Sequence, residues 1–417
     1  MSRKRVDCDD VIVVGAGLNG LMTALTLADA GAAVHLIDRG DGGVADTAMR
    51  DAVRTTTINP AAYAHLKTLG VWEAYAHHGR EPTPIMHIRV SDEKTKPQPG
   101  RIVTDSLIDW HSEAKGNDTS GDTAPLAYTF RNTAMTECLY DRVHTHDAIT
   151  VTSGCAITGY SENHPILGDT AAMISTDDGQ CFAARLIVAA DGGQSPLRHA
   201  AGIKGITRRP GQTAIVADII SERPHHMMAW QRFIPGGPAA LMPIDRDKRH
   251  ALVWTMKDDD AHTLLNAEPL AFNAALMENF GAGLGALTLD SDRLSWPLEL
   301  HHVMKPYTTR MVLVGDAAHR IHPLAGQGYN LGVGDAIALA EVMTSARETG
   351  QDIGARHILR RYSQKRFVDV TAMTVMTDGL NAAFSFGGPG VAAITGMGMT
   401  LFGASPLKKL AETFARG

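Results

Sequence analysis

The chemistry-bearing feature nearest the N-terminus is a run of three glycines, Gly15-Ala16-Gly17-Leu18-Asn19-Gly20. It lies between an apolar run at residues 11–14 and a stretch of good helix formers at residues 18–30. Gly15 permits a tight turn, Gly17 lets a diphosphate approach the backbone, and Gly20 lets helix and strand pack closely, while the helix N-terminus offers about half a positive charge to the phosphates. Asp38 ends the next apolar run, 18 residues beyond Gly20. A carboxylate there accepts hydrogen bonds from two ribose hydroxyls and disfavours a 2′-phosphate. Arg39 follows it at the edge of the same site. These residues describe a dinucleotide site, and alone they do not separate a flavin from a nicotinamide dinucleotide.

The separation comes from the far end of the chain. Gly315-Asp316-Ala317-Ala318-His319 follows an apolar run at residues 311–314, and Pro323-Leu324-Ala325-Gly326-Gln327-Gly328-Tyr329-Asn330 then leads into a helical stretch. A carboxylate held at a strand end, Asp316, suits a hydroxyl of a ribityl chain. The amides of the Gly326-Gln327-Gly328 turn, at a helix N-terminus, suit the pyrimidine edge of a flavin, where reduction leaves negative charge. FAD is therefore the expected cofactor.

These positions need a sheet to carry them. The runs at residues 11–14, 34–37, 186–190 and 311–314 are short, apolar and rich in β-branched residues, as buried parallel strands are. From residue 213 to 256 the pattern changes to longer strands with turn punctuation, including Pro235-Gly236-Gly237-Pro238, which predicts a second, mostly antiparallel sheet. Residues 91–123 read as loops around one or two edge strands, and helices are predicted over residues 262–280 and 331–366. The expected division is three cofactor-domain segments (8–80, 125–205 and 303–366), substrate-domain segments at 81–124 and 206–302, and a C-terminal helical region at 367–417.

Bulk composition narrows the class. With 44% hydrophobic and 20% charged residues the chain reads as a folded enzyme, and a net charge of −6 gives no basic footprint for nucleic acid. The four cysteines, Cys8, Cys138, Cys155 and Cys181, lack the paired spacing of a zinc site or disulfide framework. No apolar core of about 7 to 15 residues opens the chain and no run nears about 20 apolar residues, so a cytoplasmic setting is expected, with membrane contact only from the surface. The histidine pairs His225-His226 and His301-His302, with His319 and His322, have no nearby carboxylate or thiolate to complete a ligand set, and no metal is expected.

Residues 316–341, together with the first glycine motif, resemble the FAD-dependent aromatic hydroxylases, specifically the ubiquinone-biosynthesis branch. The stretch Ile321-His322-Pro323-Leu324-Ala325-Gly326-Gln327-Gly328-Tyr329-Asn330-Leu331-Gly332 carries the closest likeness. Asp191-Gly192 with Ser195-Pro196-Leu197-Arg198 is similar to that family's Asp-Gly fingerprint, associated with FAD and the nicotinamide donor. Arg54 stands where the family has an arginine near the flavin, with Arg50 a competitor for the role. The resemblance implies an α/β fold: a Rossmann-like FAD-binding domain of the three-segment aromatic-hydroxylase type, with a mostly antiparallel β-sheet substrate domain and C-terminal helices.

By the same resemblance, reduced flavin and dioxygen form a C4a-hydroperoxide that hydroxylates an electron-rich ring. Arg54 and Pro323 border the pocket and no protein acid or base is assigned. Electrons come from NADH, NADPH or a separate reductase. The substrate is a hydrophobic aromatic, a polyprenylated phenol. Residues 380–414, rich in Gly, Met, Ala and Phe with Lys408 and Lys409, are expected either to meet the inner face of the membrane or partner proteins of quinone biosynthesis, or to pack as a helix on the domain. Met227, Met228, Trp230, Phe233, Leu241 and Met242 read either as lining for a long apolar substrate or as sheet core.

Three positions depart from the family pattern. Gly334 stands where an arginine is common, Gly193-Gln194 replaces an arginine-containing turn, and Arg131 replaces a residue that is often acidic. Three other readings stay open: a hydroxylase of a small soluble aromatic acid, a flavin reductase or dehydrogenase without oxygen insertion, and a non-catalytic FAD-fold subunit of a quinone-biosynthesis complex.

Overall fold

The structure, a computed structural model, describes residues 8–40, 53–92, 108–112, 124–163, 170–245, 247–323 and 328–385. The apolar runs form strands of one sheet. Asp9–Val14 pairs in parallel with Val34–Ile37 on one side and Cys181–Ala189 on the other, with Val11 opposite both Val34 and Leu186. Ile149–Thr152 extends the sheet beyond Val34–Ile37, and Met311–Leu313 joins Cys181–Ala189 in parallel. The antiparallel strands Ala172–Thr176 and Ile157–Ser161 finish it. Ile12, Val13, Leu186, Ile187 and Val312 are all fully buried, each contributing about 1.5–3 kcal/mol of apolar burial. Chain pieces some 300 residues apart thus share one core.

The second sheet is built on Gln212–Ser221 and runs through Arg249–Lys257, Gly237–Pro243, Met228–Ile234 and His87–Asp92 to Ile108–His111. Its pairings are antiparallel except that Met228–Ile234 lies parallel to His87–Asp92. Alternate residues Ile215, Ala217 and Ile219 pack with Trp254, Phe272 and Leu276 under two helices. The helix predicted over residues 262–280 is in fact two, Asp258–Leu265 and Pro269–Phe280, because Pro269 occupies the first turn of the second. The stretch predicted helical over 331–366 also divides, into Gly328–Glu348 and Arg356–Ser385, at Gly350, whose φ is +64°.

Two features fasten the sheets together. Arg131, ending the strand Ala127–Arg131 of a small third sheet with Thr55–Ile58 and Thr83–Ile85, donates to Asp218 of the second sheet at 2.8 Å and to Asp245 beside it at 2.6 Å. The C-terminal helix Arg356–Ser385 packs on the helix Gly328–Glu348 and on the strand Gly237–Pro243. One part of it binds the first body through Arg366, while Asp378 pairs with Arg208 and Asn381 Nδ2 donates to Gln212 Oε1 at 2.9 Å.

The residues weighed as a pocket or as core divide. Trp230 and Leu241 belong to the core under the helices, and Phe233 packs with Val90. Met242 faces the other way, its sulfur accepting from Thr57 Oγ1 at 3.1 Å. Met227 is 44% exposed. Among the described residues no helix is long and apolar enough to cross a membrane, and no group of three or more His, Cys, Asp or Glu is placed to hold a metal. Residues 386–417, most of the C-terminal segment singled out above, lie outside the described residues.

Candidate functional site

The glycine turn sits at the C-terminal edge of the first sheet. Gly15 adopts φ +102°, and a Cβ there would lie 2.6 Å from the Ala190 carbonyl oxygen, so the turn and the Asp-Gly segment pack backbone to backbone. A Cβ on Gly20 would overlap the Gly15 carbonyl oxygen, whereas one on Gly17, at the N-terminus of the helix Leu18–Asp29, would meet nothing within 4 Å. Gly15 and Gly20 are therefore needed by the protein, and Gly17 leaves space that a ligand can use. Asp38 is half-buried beyond the strand Val34–Ile37, its oxygens accepting from Ala16 N and Gly40 N, both at 2.7 Å. Arg39 is exposed beside it.

Asn19, the polar residue inside the glycine motif, is the joint between segments. A Cβ on Gly315 would lie 2.5 Å from Asn19 Nδ2, and one on Gly332 would overlap Asn19 Oδ1. The first glycine turn, the Gly315-Asp316 turn and the start of the helix Gly328–Glu348 therefore close around one side chain. Asn19 Oδ1 is buried without a hydrogen-bond partner, and so is Asp191 Oδ1. Such acceptors are costly unless a ligand or water satisfies them.

The Asp191 carboxyl is raised by burial, while its second oxygen accepts from Leu197 N at 3.1 Å. Arg198 staples this segment to the next, donating to Gly193 O at 2.8 Å and to Ala317 O at 2.9 Å. Gly192 carries no atom within 4 Å of where a Cβ would sit. Asp316 leaves its side chain 48% exposed, with Arg320 Nε 3.5 Å away. Among the described residues nothing outside its own helix and chain neighbours lies within 4 Å of where a Cβ on Gly328 would sit, whereas Gly326 and Gln327 lie outside the described residues, as does Arg50.

Asn330 acts as a brace: its Oδ1 accepts from Asn59 N at 3.0 Å and its Nδ2 donates to Thr57 O at 3.1 Å. Beside it Tyr329 packs edge-on to Phe130, near the stacked rings of Tyr128, Tyr63 and Trp72. Arg54 lies 5.1 Å from the ring centre of Trp296, on a strand paired with Gln212–Ser221, and so spans from the first body to the second. Pro323 is half-buried.

Each of the three departures from the expected pattern is matched by a charged partner from elsewhere. A Cβ on Gly193 would overlap the Arg320 guanidinium, and one on Gly334 would lie 2.8 Å from Arg366 Nη2. Arginine side chains thus occupy the space beside both glycines. Arg131 faces two aspartates, which raise its pKa against the burial that would lower it. At Asp335 burial alone would raise the carboxyl, but His319 and Arg366 outweigh it and hold it below the usual range. None of these long-range partners was identified from sequence, since separations such as the 31 residues between Asp335 and Arg366 leave no local pattern.

Three buried histidines are held neutral. Burial lowers His322 to about 4, lowers His301 to about 4 with help from Arg198 and Arg320, and lowers His250 to about 3 with help from His225. Unfolded, each titrates near 6.5, so the stability they contribute is fully present above that pH and is lost as pH falls toward 4. At pH 5 the loss is about 2 kcal/mol for each of His250 and His322. Tm is expected to fall by at least about 5 °C between pH 7 and pH 5, and to fall less in His250→Gln. A Tm that stays constant over that range contradicts the assignment.

A profile of the family described as FAD binding domain matches residues 9–377. The ubiquinone hydroxylase UbiL of Rhodospirillum rubrum is 34% identical over 98% of this chain and 89% of that protein. The 3-demethoxyubiquinol 3-hydroxylase of Escherichia coli is 29% identical over 98% of both. Human mitochondrial ubiquinone biosynthesis monooxygenase COQ6 is 27% identical over 97% of this chain and 92% of its own. Among solved structures, p-nitrophenol 4-monooxygenase PnpA from Pseudomonas putida superposes with a TM-score of 0.74 at 17% identity, covering 98% of each chain, which speaks for the fold alone.

Proposed function

The chain belongs to the FAD binding domain family, and on that premise we propose that it is an FAD-dependent monooxygenase hydroxylating the ring of a polyprenylated phenol in ubiquinone biosynthesis. The observation that carries the reading is the joint at Asn19, where three distant segments meet around its unsatisfied side-chain oxygen, beside the open position at Gly17. The full-length relatives named for ubiquinone hydroxylation support the substrate class.

In this reading Gly15 and Gly20 shape the turn and Gly17 admits the diphosphate to the N-terminus of the helix Leu18–Asp29, while Asp38 with Arg39 faces the adenosine ribose. Asp191 and Gly192 line the neighbouring wall. Asp316 takes a ribityl hydroxyl and the Gly326-Gln327-Gly328 sequence addresses the pyrimidine edge, while Asn330 holds the start of the helix Gly328–Glu348 against residues 57–59. Arg54 and Pro323 border the pocket for the ring. Bound flavin, reduced by NADH, NADPH or a separate reductase, supplies the activation of dioxygen. The chain's own part is to orient the ring and to exclude water between the two sheets. A prenylated substrate comes from a bilayer, which favours contact with the membrane surface or with other quinone-biosynthesis proteins.

Deletion of the gene followed by mass spectrometry of the quinone pool tests the assignment. Accumulation of a prenylated phenol one hydroxyl short of the product is expected. A normal pool contradicts the ubiquinone role and leaves FAD binding intact.

A further inference from the structure

Asp335 lies on the helix Gly328–Glu348 and is 1% exposed. Its Oδ1 accepts from Arg366 Nε at 2.8 Å, and its Oδ2 is bonded to His319 Nε2 at 2.6 Å and to the Gly315 amide at 2.9 Å. Arg366 also donates to Leu331 O at 3.1 Å and to Asp369 at 2.6 Å. A carboxylate this deeply buried is stable only when countercharge and hydrogen bonds surround it. The guanidinium has room because the preceding residue is Gly334, where a Cβ would lie 2.8 to 3.0 Å from three of its atoms. The Gly315 amide that Asp335 holds sits in the turn presenting Asp316.

We propose that Arg366 is a positioning residue for the cofactor: through Asp335 it fixes the Gly315-Asp316 turn and the start of the helix Gly328–Glu348. The C-terminal helix thereby completes the cofactor site from outside it. The inference rests on the reading of Asp316 as a flavin contact. It assigns a role to a residue outside the glycine and aspartate motifs, and it makes Gly334 a requirement of the arrangement.

The test is FAD titration of apo-protein, with the absorption spectrum of the bound flavin and the Tm of the apo-protein measured alongside. Arg366→Ala is expected to weaken FAD binding by at least about tenfold, since truncating one partner strands a buried charge, and to alter the flavin spectrum. Gly334→Ala, which keeps every charge and pushes only on the guanidinium, is expected to give the same spectral change with a smaller loss of affinity. Moving the arginine onto the helix, in the double variant Gly334→Arg with Arg366→Ala, is expected to recover most of the affinity and the wild-type spectrum.

Wild-type affinity and spectrum in both single variants overturn the inference alone. So does a double variant that regains apo-protein Tm without regaining FAD affinity. If Arg366→Ala does not fold, Gly334→Ala decides by the same two readouts. A folded wild-type chain that takes up no FAD overturns the functional reading itself.

Discussion

Gly17→Val is expected to leave a folded chain that binds FAD at least about 100-fold more weakly, because hydrogen bonds from backbone amides to a charged diphosphate are worth about 1.5–3 kcal/mol each. The reason lies in where the space goes. Nothing of the protein stands within 4 Å of a Cβ at Gly17, so the added side chain meets only what binds there. Gly20→Ala is the counterpart, since its methyl would overlap the Gly15 carbonyl oxygen. That variant is expected to lose the turn itself, with a lower Tm as well as lost flavin. Circular dichroism and FAD titration of both apo-proteins separate the two effects. Equal loss of Tm in both variants contradicts the division of labour between the glycines.

Arg131→Ala is expected to destabilise the protein by about 1.5–3 kcal/mol, the worth of hydrogen bonds to charged groups, since Asp218 keeps a second cation, Arg249, 3.8 Å away. The Arg131 side chain is 15% exposed and that of Asp218 is 7% exposed, so the aspartate has little water to turn to. Pairing with Asp245 as well makes Arg131 the tie between the small sheet of Ala127–Arg131 and the larger antiparallel sheet. Combining Arg131→Ala with Asp218→Ala is expected to cost less than the sum of the two single changes. Denaturant unfolding of the four proteins measures the coupling, and additive losses contradict it.

What could be read from sequence was local. A glycine turn, an acidic residue at a strand end and an apolar run of four residues each carry their meaning within a few positions, and the strands beginning at Asp9, Val34 and Met311 follow those runs closely. Helix boundaries suffered where one residue, Pro269 or Gly350, divides a composition that reads as continuous. The supports of the site were hidden for a different reason. Arg131 reaches its partners 87 and 114 residues away, and Arg320 approaches Gly193 only because the strand His319–Arg320 pairs with Leu300–His302. Departures at Gly193, Gly334 and Arg131 read in sequence as lost or misplaced charge, and in the folded chain each has a charged side chain against it. Asn19 was within reach, as the polar residue between Gly17 and Gly20, but which glycines it would touch depended on the fold.

We propose that this folded chain holds FAD and uses it to place an oxygen atom on a prenylated ring. Photoreducing the flavin-loaded protein without oxygen, and then mixing it with isotopically heavy dioxygen and a prenylated phenol, tests that claim without knowledge of the natural electron donor. The expected product is the phenol with one heavy oxygen atom on its ring, formed in a single turnover. Recovery of unchanged phenol with stoichiometric hydrogen peroxide, at every prenyl length tried, would contradict it.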